Sequence, residues 1–325
     1  MGPTFIKLSQ FVSTRSDVFS KDICDELKEL QDNVAPVSWN LLKSSIPPNI
    51  FSSINEVPIA SASICQVHLA RIIGNDNDVV IKIKRPNIDE QIRLDFEGLL
   101  VFIKWLKLFS NSRRLNEFEI LFTEYYNLLL EEVNFIKEVN NMKKFAEMFK
   151  DKKWIKIPNV YENYSDNSCI TMEYVPAIKI DNIEKLKSLG FNLEKIASKL
   201  IECYVDQMLN GDLIHIDCHS SNLNITSTGK IVFYDFGMVL KLDDKIKLYF
   251  NDLLIALYDK DIDESTRLIV DIGLVIVEPC KMPYLKKFMI FFLSYIEKMD
   301  IKDFKISYID TLNKSVVSLY YYCVV

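Results

Sequence analysis

The stretch "HIDCHSSN", residues 215–222, with Asp235-Phe236-Gly237 just downstream, narrows what this chain can fold into more than any other feature. Ahead of it, Leu193, Ile196, Leu200, Tyr204 and Met208 recur at helical spacing and Gly211 supplies a stop. After it come a short apolar strand, the turn Thr226-Ser227-Thr228-Gly229 and the strand "KIVFY". This pattern predicts a helix, a polar loop and a hairpin that together deliver Asp217, Asn222 and Asp235. Two carboxylates and an amide placed this way favour chemistry on a charged ligand over simple core packing.

Upstream, "ICQVHLARI", the turn "GNDND" and "VVIKIKR" predict a two-stranded hairpin with Lys82 on its second strand. Helical periodicity runs from about Asn116 to Phe149, where Leu121, Tyr125, Leu128, Phe135, Val139 and Met142 form an apolar stripe. Glu132 sits in the middle of that stripe. A buried charge without a partner costs several kcal/mol, so Glu132 is expected to meet a cation, and Lys82 is the natural one. "SCITMEYV" predicts another strand. Residues 1–55 read as helical and loop-rich, with "DICDELKELQ" amphipathic and "SIPPNI" a break, and 240–325 read as helices. The whole is an α+β, two-lobed plan.

Composition removes several function classes. The 325 residues are 49% apolar and 26% charged, enough for a sizeable core and wrong for a disordered chain. Net charge is −6 with no long basic run, which argues against nucleic acid as the main ligand. Seven cysteines, with no C-x-x-C pair, fit a reduced intracellular setting and no zinc site. No apolar run approaches a membrane span, and no signal peptide is evident. "PYLKKFMIFFLSYIEKM", 283–299, reads either as a core helix or as a docking surface for lipid or partner.

Phosphoryl transfer needs charge neutralised and atoms aligned, with little covalent help from protein. Protein kinases meet that need with H-R-D-x-x-x-x-N, D-F-G and a strand V-A-I-K. Here Asp217 and Asn222 stand at the required spacing, Asp235 heads a D-F-G, and Val79-Val80-Ile81-Lys82 stands where V-A-I-K would. On this pattern Lys82 holds the phosphates, positioned by Glu132. Asn222 and Asp235 bind magnesium, and Asp217 orients the nucleophile. His215 is read as a brace of the loop, His219 as a brace or a phosphate contact, and His68 as a strand residue. In place of a glycine-rich loop stands "PIASASICQVHLA", whose Ala60, Ser61, Ala62 and Ser63 would let a backbone approach a nucleotide. The strand "CITMEYV" is expected to supply an adenine hinge around Glu173–Val175.

These residues resemble the UbiB family of atypical kinases. "MGPTFIKLSQFVSTRSD" looks like that family's lysine-x-glycine-glutamine signature through Lys7 and Gln10, and "PIASASICQVHLA" looks like its alanine-rich loop. "EEVNFIKEVNN" is similar to its two-glutamate helix, with Glu132 matching the glutamate that pairs with the lysine and Glu138 the second one; "HIDCHSSN" resembles its catalytic loop. The chain departs from the pattern at Ser9, Ser61, Asn134, Cys218, Ser220 and Ser221, none of which removes a charged catalytic group. The resemblance implies a bilobed protein-kinase-like fold with an N-terminal helical extension over the cleft. Its expected parts are 1–55 as the extension, 56–175 as the N-lobe and 176–325 as the C-lobe. Also implied are ATP and Mg2+ as cofactors, and kinase or ATPase activity serving isoprenoid-quinone lipid metabolism. Lys7, Gln10 and Glu138 are the implied regulatory residues, with the lysine signature restraining protein phosphorylation. Quinone-biosynthesis enzymes or lipid are the implied partners, in an intracellular location with peripheral membrane contact as an option. The abrupt start suggests a fragment or trimmed copy. Small-molecule kinases of the aminoglycoside or choline kinase type, and a non-catalytic nucleotide-binding scaffold, are the rival readings. Phe5, Leu8 and Val12 are expected to bury one face of the signature helix.

Overall fold

The computed structural model describes residues 2–14, 22, 26–27, 34–75, 77–109, 113–217, 220, 222–275, 277 and 279–298. Cys218, His219, Ser221, the Gln10 side chain and most of "DICDELKELQ" lie outside the described residues, as does 299–325. In chain order the elements begin with α1 (Pro3–Thr14), α2 (Trp39–Leu42), β1 (Phe51–Ile54), β2 (Ala60–Ser61), β3 (Cys65–Ile72) and β4 (Asp78–Lys84). Next come α3 (Ile88–Phe109), α4 (Arg113–Glu132), α5 (Phe135–Met148), β5 (Ile155–Lys156), β6 (Cys169–Glu173) and β7 (Ala177–Lys179). Then follow α6 (Ile183–Ser188), α7 (Leu193–Leu209), β8 (Leu213–His215), β9 (Leu223–Thr226), β10 (Ile231–Phe233) and β11 (Val239–Lys241). Three helices close the described part: α8 (Asp244–Tyr258), α9 (Ile262–Ile272) and α10 (Met282–Lys298). None is long and apolar enough to cross a membrane. The elements fall into two compact units, Met1–Ile178 with Asn224–Met238, and Lys179–Leu223 with Val239–Val325.

The first unit is built on a five-stranded sheet of order β1-β3-β4-β6, with β2 also paired to β3. Strand β4 is antiparallel to both neighbours, setting Lys82 opposite Val67 and Ile170. Its alternation assigns the faces. Val79, Ile81 and Ile83 pack with Leu42, Ala70, Ile72 and Cys169 in a fully apolar core, so Lys82 and Lys84 point to the other face. There the Phe135 ring lies 5.3 Å from the Lys82 ammonium and 5.2 Å from that of Lys84. A second sheet has the order β5-β10-β9-β7, and Asp235 follows two residues after the end of its interior strand β10.

Three expectations change. The single helix expected from Asn116 to Phe149 is two helices, α4 and α5, because Asn134 caps α5 by accepting the Lys137 amide at 3.0 Å. Helix α3 and strand β1 are additional. Ile88, Ile92, Phe96 and Ile103 bury one side of α3, with Asp89 and Glu90 in its first turn. In α1 the buried face is Thr4, Ser9, Val12 and Ser13, while Phe5 is exposed. Small side chains let this face pack closely on α3, and Ser9 turns its hydroxyl back onto the Phe5 carbonyl at 2.7 Å.

In the second unit Asn192 caps α7, which buries Ile196, Leu200, Cys203 and Gln207. The Gln207 side chain accepts the His215 amide at 2.8 Å and so fixes the start of the 215–222 loop. Helices α8 and α9 share a core of Leu253, Ala256, Leu268 and Ile272. Asp261 opens α9 as a cap, and Gly273, at φ 89°, closes it in the left-handed conformation. Helix α10 buries Met289 but leaves Phe291 66% exposed, so it is neither a plain core helix nor a fully solvated one.

Candidate functional site

Strand β4 brings the Lys82 ammonium to the first turn of α5. It donates to both oxygens of Glu138, at 2.7 and 2.9 Å, and to Asp235 Oδ2 at 2.9 Å. Glu138 is completely buried, while the Asp235 side chain keeps 31% of its surface. Burial works to lower the Lys82 pKa, but Asp235 and Glu138 outweigh it and hold it well above 10.5. Burial pushes the Glu138 carboxyl up to about 7, against the pull of Lys82. With Glu138 ionised the three groups carry one excess negative charge, and the more exposed Asp235 is where a cation would meet it.

The same glutamate organises the Asp-Phe-Gly turn. Glu138 Oε1 accepts the Phe236 amide at 3.2 Å, and Asn141, one turn further along α5, donates its side-chain amide to the Phe236 carbonyl at 3.0 Å. The Phe236 ring is buried beside Phe145, 5.1 Å between centroids. Asp235 Oδ1 accepts the Gly237 amide at 2.9 Å, which fixes the carboxylate's orientation. Gly237 sits tightly against its neighbours: a Cβ there would lie 3.2 Å from Glu132 Cγ, 3.3 Å from Asp235 Oδ1 and 3.4 Å from the Glu132 carbonyl.

The expected pairing of Lys82 with Glu132 is therefore corrected. Glu132 closes α4 and forms its ion pair with Lys7 of α1, while Glu138 takes Lys82. The physical reason is the helix break. Restarting the helix at capped Asn134 rotates α5 so that Phe135, Glu138, Asn141, Met142 and Phe145 share the buried face. Tyr125 of α4 further holds α1 by donating its hydroxyl to the Lys7 carbonyl at 2.8 Å. Asn141 escaped the sequence reading, although a polar residue one turn after Glu138 on an apolar face was a legible signal.

In the second unit the structure brings Asp217 and Asn222 together. The Asn222 side-chain amide donates to the Asp217 carbonyl at 3.1 Å and to its carboxylate at 3.3 Å. Elsewhere in the first unit, Ala60 and Ala62 of the small-residue loop are exposed, Ser61 is half-buried and Ser63 buried. Glu173 accepts from Lys156 at 2.6 Å and from the Asn159 amide at 3.0 Å, and the Val175 carbonyl accepts the Tyr234 hydroxyl at 2.6 Å. Burial pushes the Cys65 thiol up to about 12, which favours the protonated form.

Comparison with known proteins follows this geometry. The family model described as the ABC1 atypical kinase-like domain matches residues 29–269. A relative named Protein ACTIVITY OF BC1 COMPLEX KINASE 7, chloroplastic, of Arabidopsis thaliana is 35% identical over 84% of this chain and 40% of its own length. A probable protein kinase UbiB of Klebsiella pneumoniae is 32% identical over 85% of this chain and 53% of its own. The chain thus spans about half the length of the curated relatives it matches. Among solved structures, a Mycobacterium tuberculosis protein in complex with erythromycin aligns with a TM-score of 0.61. That alignment has 18% identity, covers 95% of this chain and 86% of the other, and speaks for the fold alone. With a family model matching residues 29–269 and relatives 32–35% identical over most of it, the chain belongs to the ABC1 atypical kinase-like family.

Proposed function

We propose that the chain binds Mg-ATP and acts as an atypical kinase or ATPase in isoprenoid-quinone lipid metabolism. The observation that carries the nucleotide reading is the buried Lys82, held between Glu138 and Asp235 with the Phe236 backbone locked to the same glutamate. A lysine kept charged in a site with little water is suited to gripping phosphates.

The residues fit the cofactor. Among the described residues no cluster of three or more His, Cys, Asp or Glu side chains makes a metal cage. Magnesium on a nucleotide needs none, since one or two protein ligands and the phosphates suffice. Asp235, carrying the excess charge of its cluster, and Asn222 would hold it. The ion would neutralise charge on the phosphates. Lys82 would bind the phosphates with Glu138 as its positioning partner, and Asp217 would orient the attacking hydroxyl or water. Ala60, Ser61, Ala62 and Ser63 would let backbone approach the nucleotide, and the strand end Glu173–Val175 would meet the adenine. The ion pair of Lys7 with Glu132 supports a regulatory role for α1, which would limit phosphorylation of proteins. The UbiB relative supports the quinone setting by its name.

The test is thermal unfolding with Mg-ATP. At 100 times Kd the ligand should add about 2.7 kcal/mol to the parent's stability. Asp235→Asn should lose the magnesium-dependent part. An unchanged shift in that variant, or none in the parent, overturns the reading. Hydrolysis measured with and without lipid vesicles then separates a turning-over enzyme from a binding scaffold.

A further inference from the structure

The small-residue loop at 60–63 contains no glycine, so something other than backbone freedom must fix its shape. Pairing of β2 with β3 holds Ala60 and Ser61, and Arg85, directly after β4 and only 9% exposed, adds side-chain contacts across the segment. Its guanidinium donates through Nε to the Ala62 carbonyl at 2.9 Å. Through Nη2 it donates to the Ser61 hydroxyl at 3.1 Å and to the Ala35 carbonyl at 2.9 Å. Its backbone amide donates to the Ile64 carbonyl at 2.8 Å, extending the β3–β4 pairing past Lys84. The loop is closed on its other side by Ala62 donating to the Cys65 carbonyl at 2.9 Å. The segment at 34–37 is tied down a second time, because the fully buried Gln66 accepts the Val37 amide at 2.7 Å.

We propose that Arg85 is a positioning residue that presets the small-residue loop for a nucleotide and joins that loop to the segment at 34–37. This rests on the ATP-binding reading above. The chemistry is specific to arginine. A guanidinium offers five donors in a rigid fork, which is what three acceptors from three places demand. In a trans peptide the carbonyl and the next N–H point in opposite directions. Drawing the Ala62 carbonyl onto Arg85 therefore turns the Ser63 N–H away from it, as the donor a phosphate group requires. Arg85 also follows Lys82 by three residues, one place past the end of β4, so a single backbone sets the phosphate-binding lysine and the loop in register. Where a glycine-rich loop closes on its ligand, this loop is held in place before the ligand arrives, and the ordering cost of binding falls accordingly.

The experiment measures Mg-ATP affinity by calorimetry and amide exchange by mass spectrometry in the parent, Arg85→Lys and Arg85→Ala. Lysine keeps the charge but cannot span the three acceptors. Arg85→Lys should bind Mg-ATP about tenfold more weakly and exchange faster at 60–63. Protection of the Phe236 amide, which belongs to the Glu138 cluster, should stay as in the parent. Arg85→Ala should be affected at least as strongly, and added methylguanidinium should restore part of the affinity. If Arg85→Ala does not fold, Arg85→Lys decides alone. A folded Arg85→Lys that binds within twofold of the parent overturns the proposal. So does equal loss of protection at 60–63 and Phe236, which would mean general loosening. If the parent binds no Mg-ATP the functional reading falls instead, and exchange at 60–63 still decides whether Arg85 holds the loop.

Discussion

Removing Glu138 should cost the fold more than removing Glu132, the residue that helical periodicity marks as the partner of Lys82. The Glu138 side chain is fully buried, accepts two hydrogen bonds from Lys82 and one from the Phe236 amide. Breaking a buried ion pair from one side costs about 3–5 kcal/mol. Asp235 stays on Lys82 at 2.9 Å and softens the loss, which places Glu138→Ala near the lower end. Leaving the Phe236 amide without its acceptor adds about 1 kcal/mol. The total is about 4 kcal/mol. Glu132 belongs to a pair whose side chains are 16% and 11% exposed, between the surface and buried limits, so Glu132→Ala should cost about 1–2 kcal/mol. At roughly 2–4 °C per kcal/mol, calorimetry should show Glu138→Ala melting about 8–16 °C below the parent and Glu132→Ala about 2–8 °C below. Glu138→Ala should also weaken Mg-ATP binding, since it frees Lys82 and the Phe236 backbone together. A Glu132→Ala variant that loses as much stability as Glu138→Ala would refute the assignment of partners.

Three further outcomes follow from the same geometry. Gly237→Ala must push a methyl group against the Glu132 side chain and backbone, so it should destabilise by about 1–2 kcal/mol in urea unfolding, and the addition of Glu132→Ala should relieve part of that cost. The Lys82 pKa is raised in the folded state, so its stabilisation is complete below pH 10.5 and is lost as pH rises beyond that. Lys82→Met should therefore be less stable than the parent at neutral pH and show a shallower alkaline loss; identical alkaline slopes would contradict the pairing. On α10, Phe291→Glu should leave the melting temperature almost unchanged while Met289→Glu lowers it strongly, because only Met289 is buried.

Much of the first unit was legible because its signals are local. The hairpin of β3 and β4 announces itself through alternation around "GNDND", and β6 through an apolar run. The choice of Lys82 needed only its strand position. The choice of its partner needed the phase of a helix, and phase is what a single cap can reset. Asn134 reads as one more polar residue in a long amphipathic stretch, yet its side chain closes on the Lys137 amide and starts a new helix. Phe135, Val139 and Met142 keep the buried face expected of them, but in the new helix that face also takes in Glu138 and Asn141. Helix α1 failed in a related way. Its large apolar residues suggested a buried face through Phe5, but close packing on α3 selected the small residues Thr4, Ser9 and Ser13. Periodicity weighs hydrophobicity, whereas close helix packing weighs size. Arg85 was invisible for a third reason: two of its three acceptors are backbone carbonyls at 35 and 62, and no side-chain pattern encodes them.

The exchange of glutamates also changes what α1 means for the site. Had Glu132 been the partner of Lys82, a signature lysine nearby would have competed with it for the same carboxylate. Instead each lysine has its own glutamate, and the two pairs meet through the Asp-Phe-Gly turn. Lys7 neutralises Glu132, Glu132 abuts Gly237, and the Gly237 amide orients the Asp235 carboxylate that Lys82 holds from the other side. A displacement of α1 would remove the Lys7 charge from a carboxylate that abuts the backbone aiming Asp235. The lysine near the chain start therefore bears on the carboxylate assigned to metal in the proposed site through Glu132 and Gly237.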